Sequence, residues 1–378
     1  MLYRVTGKAA RERIPPLLQD LHPQIDWVEC KSPEESPTLV YETTCERTWN
    51  ACHQRALILN RLHNSQILEN KANLAVLQTA MDIPMLETYL AHGHDEVDRW
   101  CRWRFQKTSS VEDLDWWVLK ASKGNGGRDV WIICKDNFEK ILPEIPPNDN
   151  YVIQKYVQNP QLWHNRKFHL RCYTVLFGDM SAYVYEQAFI LTASEPYDHL
   201  NCDEVMKHIT NLAVNKNSPQ HPGQISISLC THFPLEFIRI KKIWQELIQA
   251  AAPFICHQAS IAHFEFFGID IIADVDHNCW LLECNRLPGL KSSVNNLEEE
   301  DNFYSSMILS LIKLSLQHAS SKLHFEGCVE HDHPGWTQVC KDYKFTVNPQ
   351  SEPHMNLINW FIFSRKRLAM LRAYNTIV

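Results

Sequence analysis

The stretch that most constrains the fold of this chain runs from His263 to Leu290, HFEFFGIDIIADVDHNCWLLECNRLPGL. β-Branched and aromatic residues dominate from Phe264 to Ala273, and Asp274 to Asn278 supplies the polar residues of a turn. Cys279 to Cys284 is again apolar and is expected to return as a second strand. The stretch therefore predicts an apolar β-hairpin.

Three side chains with oxygen acceptors interrupt this hairpin: Asp270, Glu283 and Asn285. Because strand side chains alternate between faces, Glu283 and Asn285 point the same way, and pairing about the turn brings Asp270 near them. One interpretation is structural, with the carboxylates at strand ends paired to Lys or Arg. Three converging acceptors favour a metal site instead, and oxygen ligands with room for phosphate oxygens suit Mg²⁺.

Length and composition limit the classes of protein to consider. The 378 residues suggest two or three domains, and 45% hydrophobic with 21% charged residues is ordinary for a globular chain. The net charge of −7 argues against nucleic acid as a partner. We expect no apolar leader segment, no membrane span, and a cytoplasmic protein whose 13 cysteines are reduced thiols.

The first part of the chain predicts a small N-terminal domain, residues 1–70, in which Leu17 to Trp27 forms a short element. Helical periodicity runs from Trp49 to Gln78. Lys71 lies within this helical stretch, where a lysine is normally a solvated charge. The stretch from Met81 to Asp115 is rich in His, Trp and Arg and is interpreted as an irregular entry to a second domain.

A small-residue loop, Ala121 to Gly127, lies between two predicted strands, Trp116 to Lys120 and Asp129 to Cys134. Lys120 faces this loop, whose glycines let backbone N–H groups approach a phosphate. A strand follows the loop where a P-loop has a helix, so an ordinary hairpin turn is the alternative. The glycines are Gly124, Gly126 and Gly127.

Two further strands carry polar residues in buried patterns. Gln154 and Lys155 interrupt Tyr151 to Val157, a strand that can present backbone groups to an adenine edge or can be an edge strand with one exposed lysine. In the stretch from His164 to Gly178, alternate positions form one cationic face. Phosphates or carboxylates are natural partners of this face, and the alternative is a solvated face of an antiparallel sheet. The face consists of Lys167, His169 and Arg171.

The rest of the chain adds a strand, Ser181 to Thr192, and two helices, Phe237 to Cys256 and Asn302 to Leu316. Between them, His208 to Asn211 offers polar groups that can orient a substrate or a phosphate.

Two C-terminal features are open to more than one interpretation. The spacing of Cys328 and His331 suggests zinc, but no second pair follows at finger spacing, and surface histidines are the alternative. The stretch from Leu357 to Tyr374 mixes aromatic and basic residues, and is expected to be a docked terminal helix or, alternatively, a membrane-surface or partner helix.

Several short motifs occur in a specific order: a lysine before a glycine loop, QKY, RKFxxR, TASEPY, HxTN and a hairpin that ends in ExN. Together, from about Lys71 to Leu290, they resemble the tubulin tyrosine ligase and tubulin tyrosine ligase-like family. The resemblance implies an α+β ATP-grasp fold, in which a small N-terminal domain precedes central and C-terminal lobes that hold ATP between them. The implied domains are residues 1–70, 71–157, 158–323 and, as a C-terminal extension, 324–378.

The resemblance also implies roles for individual residues. Lys120 would hold the α-phosphate side of ATP, and Lys167 and Arg171 would serve the γ-phosphate and the acceptor carboxylate, with His169 beside them among the catalytic residues. The other implied ligands are Lys71, Gly124, Gly126, Gly127, Gln154, Lys155, Tyr156, Thr210 and Asn211 for the nucleotide, and Asp270, Glu283 and Asn285 for Mg²⁺.

The implied reaction joins an amino acid to a carboxylate through an acyl phosphate, at the expense of ATP. This chain departs from the tyrosine ligase, which has Asp at the position of His169, Arg at that of Leu191 and His at that of Leu212. The missing charge at Leu191 favours an acceptor less acidic than a tubulin tail. The resemblance implies that the acceptor is a carboxylate of a protein tail, either of tubulin or of another protein. The alternatives are a ligase of free amino acids or a small metabolite, and a nucleotide-binding scaffold without turnover.

Overall fold

The structure is a computed structural model that describes residues 1–21, 25–32, 34–43, 50–106, 115–123, 129–215, 218–255, 262–291, 297–323 and 335–340. Within these residues, helices are combined with three β-sheets, two of which are antiparallel. This mixture confirms the predicted α+β class.

The N-terminal residues contain β1 (Leu2–Val5), α1 (Lys8–Leu21), β2 (Val28–Glu29), β3 (Leu39–Tyr41), α2 (Asn50–Arg55), β4 (Ile58–Leu59) and α3 (Lys71–Gln78). The four strands form a parallel sheet in the order β2-β1-β3-β4. Helix α1 buries Ile14 and Leu18 and continues through Pro15 and Pro16, so the short element predicted from Leu17 is the end of a longer helix. Burial of this apolar face outweighs the backbone hydrogen bonds that the prolines cannot donate.

The next part contains β5 (Thr88–His92), α4 (Gly93–Gln106), β6 (Trp117–Ala121), β7 (Val130–Ile133), α5 (Phe138–Ile141) and β8 (Asn150–Lys155). The strands form an antiparallel sheet in the order β5-β8-β6-β7. Helix α4 covers one face of this sheet, where Trp100 packs edge-on against Trp117 at a ring distance of 4.9 Å. The other face of this sheet lines a cleft.

The third part contains β9 (Leu162–Trp163), β10 (Arg166–Phe177), β11 (Ala182–Thr192), α6 (Val205–His208), α7 (Leu212–Asn215), β12 (Gln224–Ser228), α8 (Leu229–His232), α9 (Pro234–Ala251), β13 (Phe264–Ala273), β14 (Cys279–Arg286), α10 (Leu297–Leu323) and β15 (Trp336–Cys340). Five strands form an antiparallel sheet in the order β12-β11-β10-β13-β14, to which β15 adds beside β11 and β9 beside β10. The hairpin predicted from the opening motif is β13 and β14, and β13 has the predicted bounds.

The large sheet has an apolar core on each face. Helix α9 packs on one face through residues such as Ile240, Trp244 and Leu247. Helix α10 and the N-terminal sheet pack on the other face, where Met307 and Leu311 meet the strands. This second cover extends along only part of β10 and β13, and the uncovered part forms the candidate site.

Two segments differ from the prediction. The helical stretch from Trp49 to Gln78 is interrupted by β4 and by a 3₁₀ turn, Ser65–Ile67, because β4 pairs with β3 in a contact that local periodicity does not reveal. The stretch from Met81 to Asp115 is not irregular but contains β5 and α4. The buried positions of α4, which include Val97 and Trp100, have helical spacing despite the His, Arg and Trp content of this segment.

None of the described helices combines the length and the hydropathy that crossing a membrane requires.

Candidate active site

An open cleft of about 680 Å³ lies between the sheet of β5 to β8 and the large sheet. Residues of β6, β7 and β8 form one wall, residues of β10, β13 and β14 form the other, and the chain from His208 to Asn211 contributes a third side.

Strand β10 supplies the cationic side of the cleft. Lys167 and His169 project into the cleft, while Phe168, Leu170 and Cys172, on the opposite face, belong to the core beneath α9. The alternation in RKFHLR therefore separates core from cleft, as the sequence predicted.

Strands β13 and β14 supply the acidic side. Asp270 and Glu283 pair directly across the two strands, as the hairpin pattern predicted. A bulge beside Asp270 makes Leu282 an extra residue, so that Leu282 and Glu283, neighbours in sequence, both line the cleft. Asn285 pairs with Gly268 further along the strands and is not among the described residues that line the cleft. The structure thus brings two of the three predicted metal ligands to the cleft wall.

Arg171 is directed to Asp270 by two parallel hydrogen bonds. Its Nε donates to Oδ1, and its Nη2 donates to Oδ2 at 3.0 Å. Burial raises the pKa of Asp270, but the Arg171 and His169 side chains outweigh this effect and hold that pKa below its ordinary value. Asp270 is therefore ionised. Arg171 does not itself line the cleft, although the sequence predicted that it serves a phosphate or an acceptor carboxylate.

Lys71 reaches the cleft from the first turn of α3, and its Nζ lies 3.5 Å from Oε1 of Glu283. The Asn70 side chain caps the helix and accepts a hydrogen bond from Ser122 Oγ at 3.0 Å, while the Lys71 N–H donates to the Ser122 carbonyl. Since Lys71 is only 8% exposed, it is not the solvated helix lysine of the alternative interpretation.

Two buried lysines face the carboxylates. Lys120 Nζ donates to Oε1 of Gln154 at 2.9 Å, and Lys167 Nζ lies 3.7 Å from the centre of the Tyr156 ring. Among the described residues, neither ammonium group has a carboxylate within ion-pair distance. Burial lowers the pKa of Lys120 to about 8, and burial together with the Lys120 charge lowers the pKa of Lys167. The cleft therefore holds lysines that have no described carboxylate within ion-pair distance.

His169 is the buried polar centre of this cluster. Its Nδ1 lies 2.6 Å from Thr210 Oγ1, and its Nε2 lies 3.6 Å from Oδ1 of Asp270. Burial lowers the pKa of His169 to about 4 despite the Asp270 charge, so the imidazole is neutral at pH 7. The neutral ring can donate or accept one hydrogen bond toward a ligand, but it adds no charge to the cleft.

Away from the charged groups, the cleft is apolar. Tyr156 forms part of this surface, and its hydroxyl lies 2.9 Å from His208 Nδ1. Lys155 lines the cleft as well, but its Nζ donates to Asp115 at 2.5 Å and lies over the Trp117 ring. The apolar lining residues are Leu86, Val118, Val130, Ile132, Val157, Ile209, Ile272 and Leu282.

Other predicted features lie outside the described residues. They are the loop glycines Gly124, Gly126 and Gly127, the Cys328 and His331 pair, and the stretch from Leu357 to Tyr374. Within the described residues, no group of three or more His, Cys, Asp or Glu side chains could hold a metal ion. The acidic pair of Asp270 and Glu283 would need other ligand types, such as an amide or phosphate oxygen, to complete a metal shell.

Sequence reasoning missed three contributors to the site. Asp115 fixes Lys155 and also accepts from Arg104 and Trp117, and its position immediately before a predicted strand was the available signal. Leu86 comes from a segment that was interpreted as irregular. The hydrogen bond from Tyr156 to His208 joins residues of two separate motifs, and neither motif alone indicates the pairing.

Comparison with known proteins points to one family. The model of the tubulin-tyrosine ligase family matches residues 60–320, which include every described residue of the cleft. A probable β-tubulin polyglutamylase of Tetrahymena thermophila is 24% identical over 222 residues, 50% of this chain and 18% of the relative. A probable tubulin–tyrosine ligase of Schizosaccharomyces pombe is 29% identical over 173 residues, 43% of this chain and 42% of the relative.

A probable tubulin polyglutamylase of Homo sapiens is 28% identical over 194 residues, 46% of this chain and 31% of the relative. The aligned part of the chain thus spans less than half of the length of each of these relatives. The family match itself extends over more than half of this chain and over both walls of the cleft. The chain therefore belongs to the tubulin-tyrosine ligase family.

Proposed function

We propose that this protein is an ATP- and Mg²⁺-dependent carboxylate–amine ligase that adds an amino acid to a carboxylate of a protein or peptide. The observation that carries the proposal is the pair of buried lysines, Lys120 and Lys167, which face the cleft without a described carboxylate partner. Burying an uncompensated ammonium group is costly, and a polyanion in the cleft would offset that cost. The phosphates of ATP provide such a polyanion.

The remaining surface of the cleft suits the rest of a nucleotide. The apolar side, which includes Val118, Tyr156 and Ile272, would enclose the adenine ring, and the charged side would face the phosphates. The two antiparallel sheets would then be the central and C-terminal lobes of an ATP-grasp fold, with ATP between them. The family and this distribution of apolar and cationic groups both support the arrangement.

The acidic pair fits a magnesium ion. Asp270 and Glu283 are adjacent carboxylates opposite the two lysines, and Asn285 lies on the same strand as a possible amide ligand. When bound, Mg²⁺ would neutralise phosphate charge and polarise the phosphoryl oxygens. Arg171 keeps Asp270 ionised and oriented, and Lys71 lies within ion-pair distance of Glu283.

In the proposed reaction, a substrate carboxylate attacks the γ-phosphate to give an acyl phosphate and ADP, and an amine then displaces the phosphate. Lys167 and Lys120 would stabilise the negative charge on the transferred group. His169, neutral and held by Thr210, would orient a substrate oxygen or amine without adding charge. The proposal requires no protein nucleophile.

The relatives suggest a protein acceptor, since their names describe tubulin polyglutamylases and a tubulin–tyrosine ligase. Leu191 bears on how acidic the acceptor is. It pairs with His169 on the neighbouring strand, but its side chain is 3% exposed and belongs to the core beneath α10. An apolar residue at this position favours an acceptor with fewer charges than a tubulin tail, and it keeps ligation of free amino acids or a small metabolite as the second candidate.

Release of ADP by the full chain, measured with Mg-ATP and a panel of amino acids with and without tubulin, tests the proposal. Glu283→Gln should lower ADP release about 100-fold, because it removes a charge from the proposed metal site. The matched control is Glu144→Gln, which alters an exposed carboxylate outside the cleft and should leave the rate unchanged. Equal rates for the two variants, or no ADP release with any amino acid and acceptor, would contradict the proposal.

A further inference from the structure

Two cysteines face each other beside the cleft, where the wall formed by β6 to β8 meets the chain that leads to the third side. Cys134 follows β7, Cys202 precedes α6, and their Sγ atoms lie 3.3 Å apart. Both belong to the apolar cluster that also contains Tyr156 and Ile209 of the cleft lining. A disulfide bond is about 2.05 Å long, so a relative shift of about 1.3 Å would bring the sulfurs to bonding distance.

The Asn137 side chain forms hydrogen bonds with both cysteines. Its Oδ1 accepts from the Cys134 N–H at 2.8 Å, and its Nδ2 donates to Cys202 Sγ at 3.2 Å and to Asp203 Oδ1 at 2.8 Å. Asn137 is buried, and these contacts hold the side chains of Cys202 and Asp203 against the end of β7. The approach of the two sulfurs is therefore part of the packing between β7 and the chain before α6.

The two thiols differ in their pKa. A hydrogen bond between the thiols lowers the pKa of Cys134 and raises the pKa of Cys202. Cys134 is thus the thiol that ionises first, and Cys202 is the protonated neighbour. The two residues are 7% and 8% exposed, which leaves access for a small oxidant. A thiolate next to a second thiol is the arrangement of redox-responsive cysteine pairs.

We infer that Cys134 and Cys202 form a reversible disulfide that fixes the end of β7 to the chain before α6, and therefore fixes one wall of the cleft to its third side. With hydrogen peroxide as oxidant, the Cys134 thiolate attacks one peroxide oxygen, an S–O bond forms as the O–O bond breaks, and the leaving hydroxide takes up the proton that the Cys134 thiol released and becomes water. Cys202 sulfur then attacks Cys134 sulfur, the S–O bond breaks, and its hydroxide leaves as water with the Cys202 proton. Two thiols lose two electrons, and the peroxide is reduced to two waters. A dithiol reverses the reaction by thiol–disulfide exchange.

The disulfide would act on the cleft through a short chain of contacts. The carbonyl of Asn201, next to Cys202, accepts from His208 Nε2 at 2.9 Å, and His208 Nδ1 in turn accepts from the Tyr156 hydroxyl. The ammonium group of Lys167 lies over the Tyr156 ring. A bond between Cys134 and Cys202 therefore limits how far β7 can move from the chain before α6. As a consequence that rests on the proposed function, we expect oxidation to slow the dissociation of an ATP analogue severalfold.

The full chain treated with hydrogen peroxide, then alkylated under denaturing conditions and digested, tests the inference directly. We expect a loss of two hydrogens in the intact mass and a cross-linked peptide that joins Cys134 to Cys202, both reversed by dithiothreitol. Because the crosslink closes a long loop, the oxidised protein should also unfold several degrees higher. Full alkylation of both cysteines, or accumulation of Cys134 only as its sulfinic acid, would overturn the inference.

Two variants complete the experiment. Cys202→Ser should lose the crosslink and leave Cys134 to form a peroxide-derived sulfenic acid, whereas the buried control Cys101→Ser should retain the crosslink. Wild-type binding of the ATP analogue is measured in both redox states. A crosslink in a protein that binds no nucleotide would contradict the proposed function but support the inference. Nucleotide binding without a crosslink would overturn the inference and leave the function intact.

Discussion

One face of the large sheet has two halves with opposite properties. Along β10, Tyr173 and Phe177 lie under α10 and the N-terminal sheet, whereas Lys167 and His169, on the same face, lie in the cleft. Strand β13 shows the same change, since Phe266 is in the core and Asp270 lines the cleft. The same two strands thus form a sealed apolar core at one end and a charged site at the other. The two ends differ because α10 covers only the apolar one.

Gly268 marks the boundary between the two halves on β13. A Cβ atom at this position would lie 3.0 Å from Arg171 Cδ and 3.0 Å from Pro288 Cβ. The missing side chain therefore makes room for Arg171, which holds Asp270 at the first position of the charged half. The comparison indicates that the covered half supplies rigidity and that the open half supplies chemistry. Each prediction below separates these two contributions.

The largest expected effect is on the covered half. Phe266 is fully buried and stacks on Tyr173 at a ring distance of 5.7 Å. Phe266→Ala should lower the free energy of unfolding by about 3–5 kcal/mol, because it leaves a cavity in the core. The control Val275→Ala alters an exposed side chain and should change it little. Chemical denaturation measures the loss, and turnover per folded molecule should stay close to wild type. A large loss of turnover without a loss of stability would contradict the division.

In the open half, we expect a substitution to lower activity without lowering stability. Lys120→Met should lower ADP release about 100-fold, equivalent to about 2.7 kcal/mol, because it removes a cation from the proposed phosphate site. Its free energy of unfolding should not fall, since the variant also removes a buried charge that lacks a described counter-ion. Lys140→Met, which alters an exposed lysine of α5 outside the cleft, is the matched control. If Lys120→Met unfolds the protein, Lys120 is a structural residue.

The charge of Lys120 should make both stability and nucleotide affinity depend on pH. Burial places the pKa of Lys120 at about 8, below its ordinary value of 10.5, with Glu283 and Asp270 opposing the shift and Lys71 adding to it. The folded state therefore binds fewer protons than the unfolded state between these values, and stability should rise with pH from about 8 to 10.5. Affinity for an ATP analogue should fall up to about tenfold per pH unit above 8, as the charge is lost.

Lys120→Arg provides the check on that assignment, because a guanidinium stays charged throughout this range. Fluorescence titrations with an ATP analogue at pH 7 to 10 should show a flat affinity for the variant and a falling affinity for the wild type. Parallel curves for the two proteins would show that another group titrates.

The smallest effect is expected at the boundary. Gly268→Ala should cost about 1 kcal/mol of stability, because the added methyl group must displace Arg171 or Pro288. It should also lower ADP release by moving the Arg171 and Asp270 pair. Gly289→Ala is the matched control, since a Cβ there has no neighbour within 4 Å. Thermal unfolding and turnover of the two variants should differ, and identical behaviour would remove the boundary role of Gly268.

The sequence predicted the large sheet better than the rest of the fold. The alternation in β10 is visible because Phe168, Leu170 and Cys172 share one face between polar neighbours, and β13 stands out as a long β-branched and aromatic run. Short elements such as β4 escaped prediction because their pairing with distant strands decides their structure.

The site was predictable residue by residue but not in its contacts. Lys167, His169, Asp270 and Glu283 stand out as charged or polar side chains in apolar strands. The bulge at Leu282 and the two-pronged pairing of Arg171 with Asp270 depend on register and rotamer, which periodicity does not encode. The ion pair of Lys71 with Glu283 joins the start of one helix to a distant strand and has no local signal.

The central claim is that the uncovered half of the sheet binds Mg-ATP. Isothermal titration calorimetry of the full chain with a non-hydrolysable ATP analogue, with and without Mg²⁺, tests it most directly. The account predicts saturable binding at one site per chain, weaker without Mg²⁺, and weakened at least about tenfold by Lys120→Met but not by Lys140→Met. Absence of binding to the wild-type chain, or equal affinity in the two lysine variants, would contradict the account.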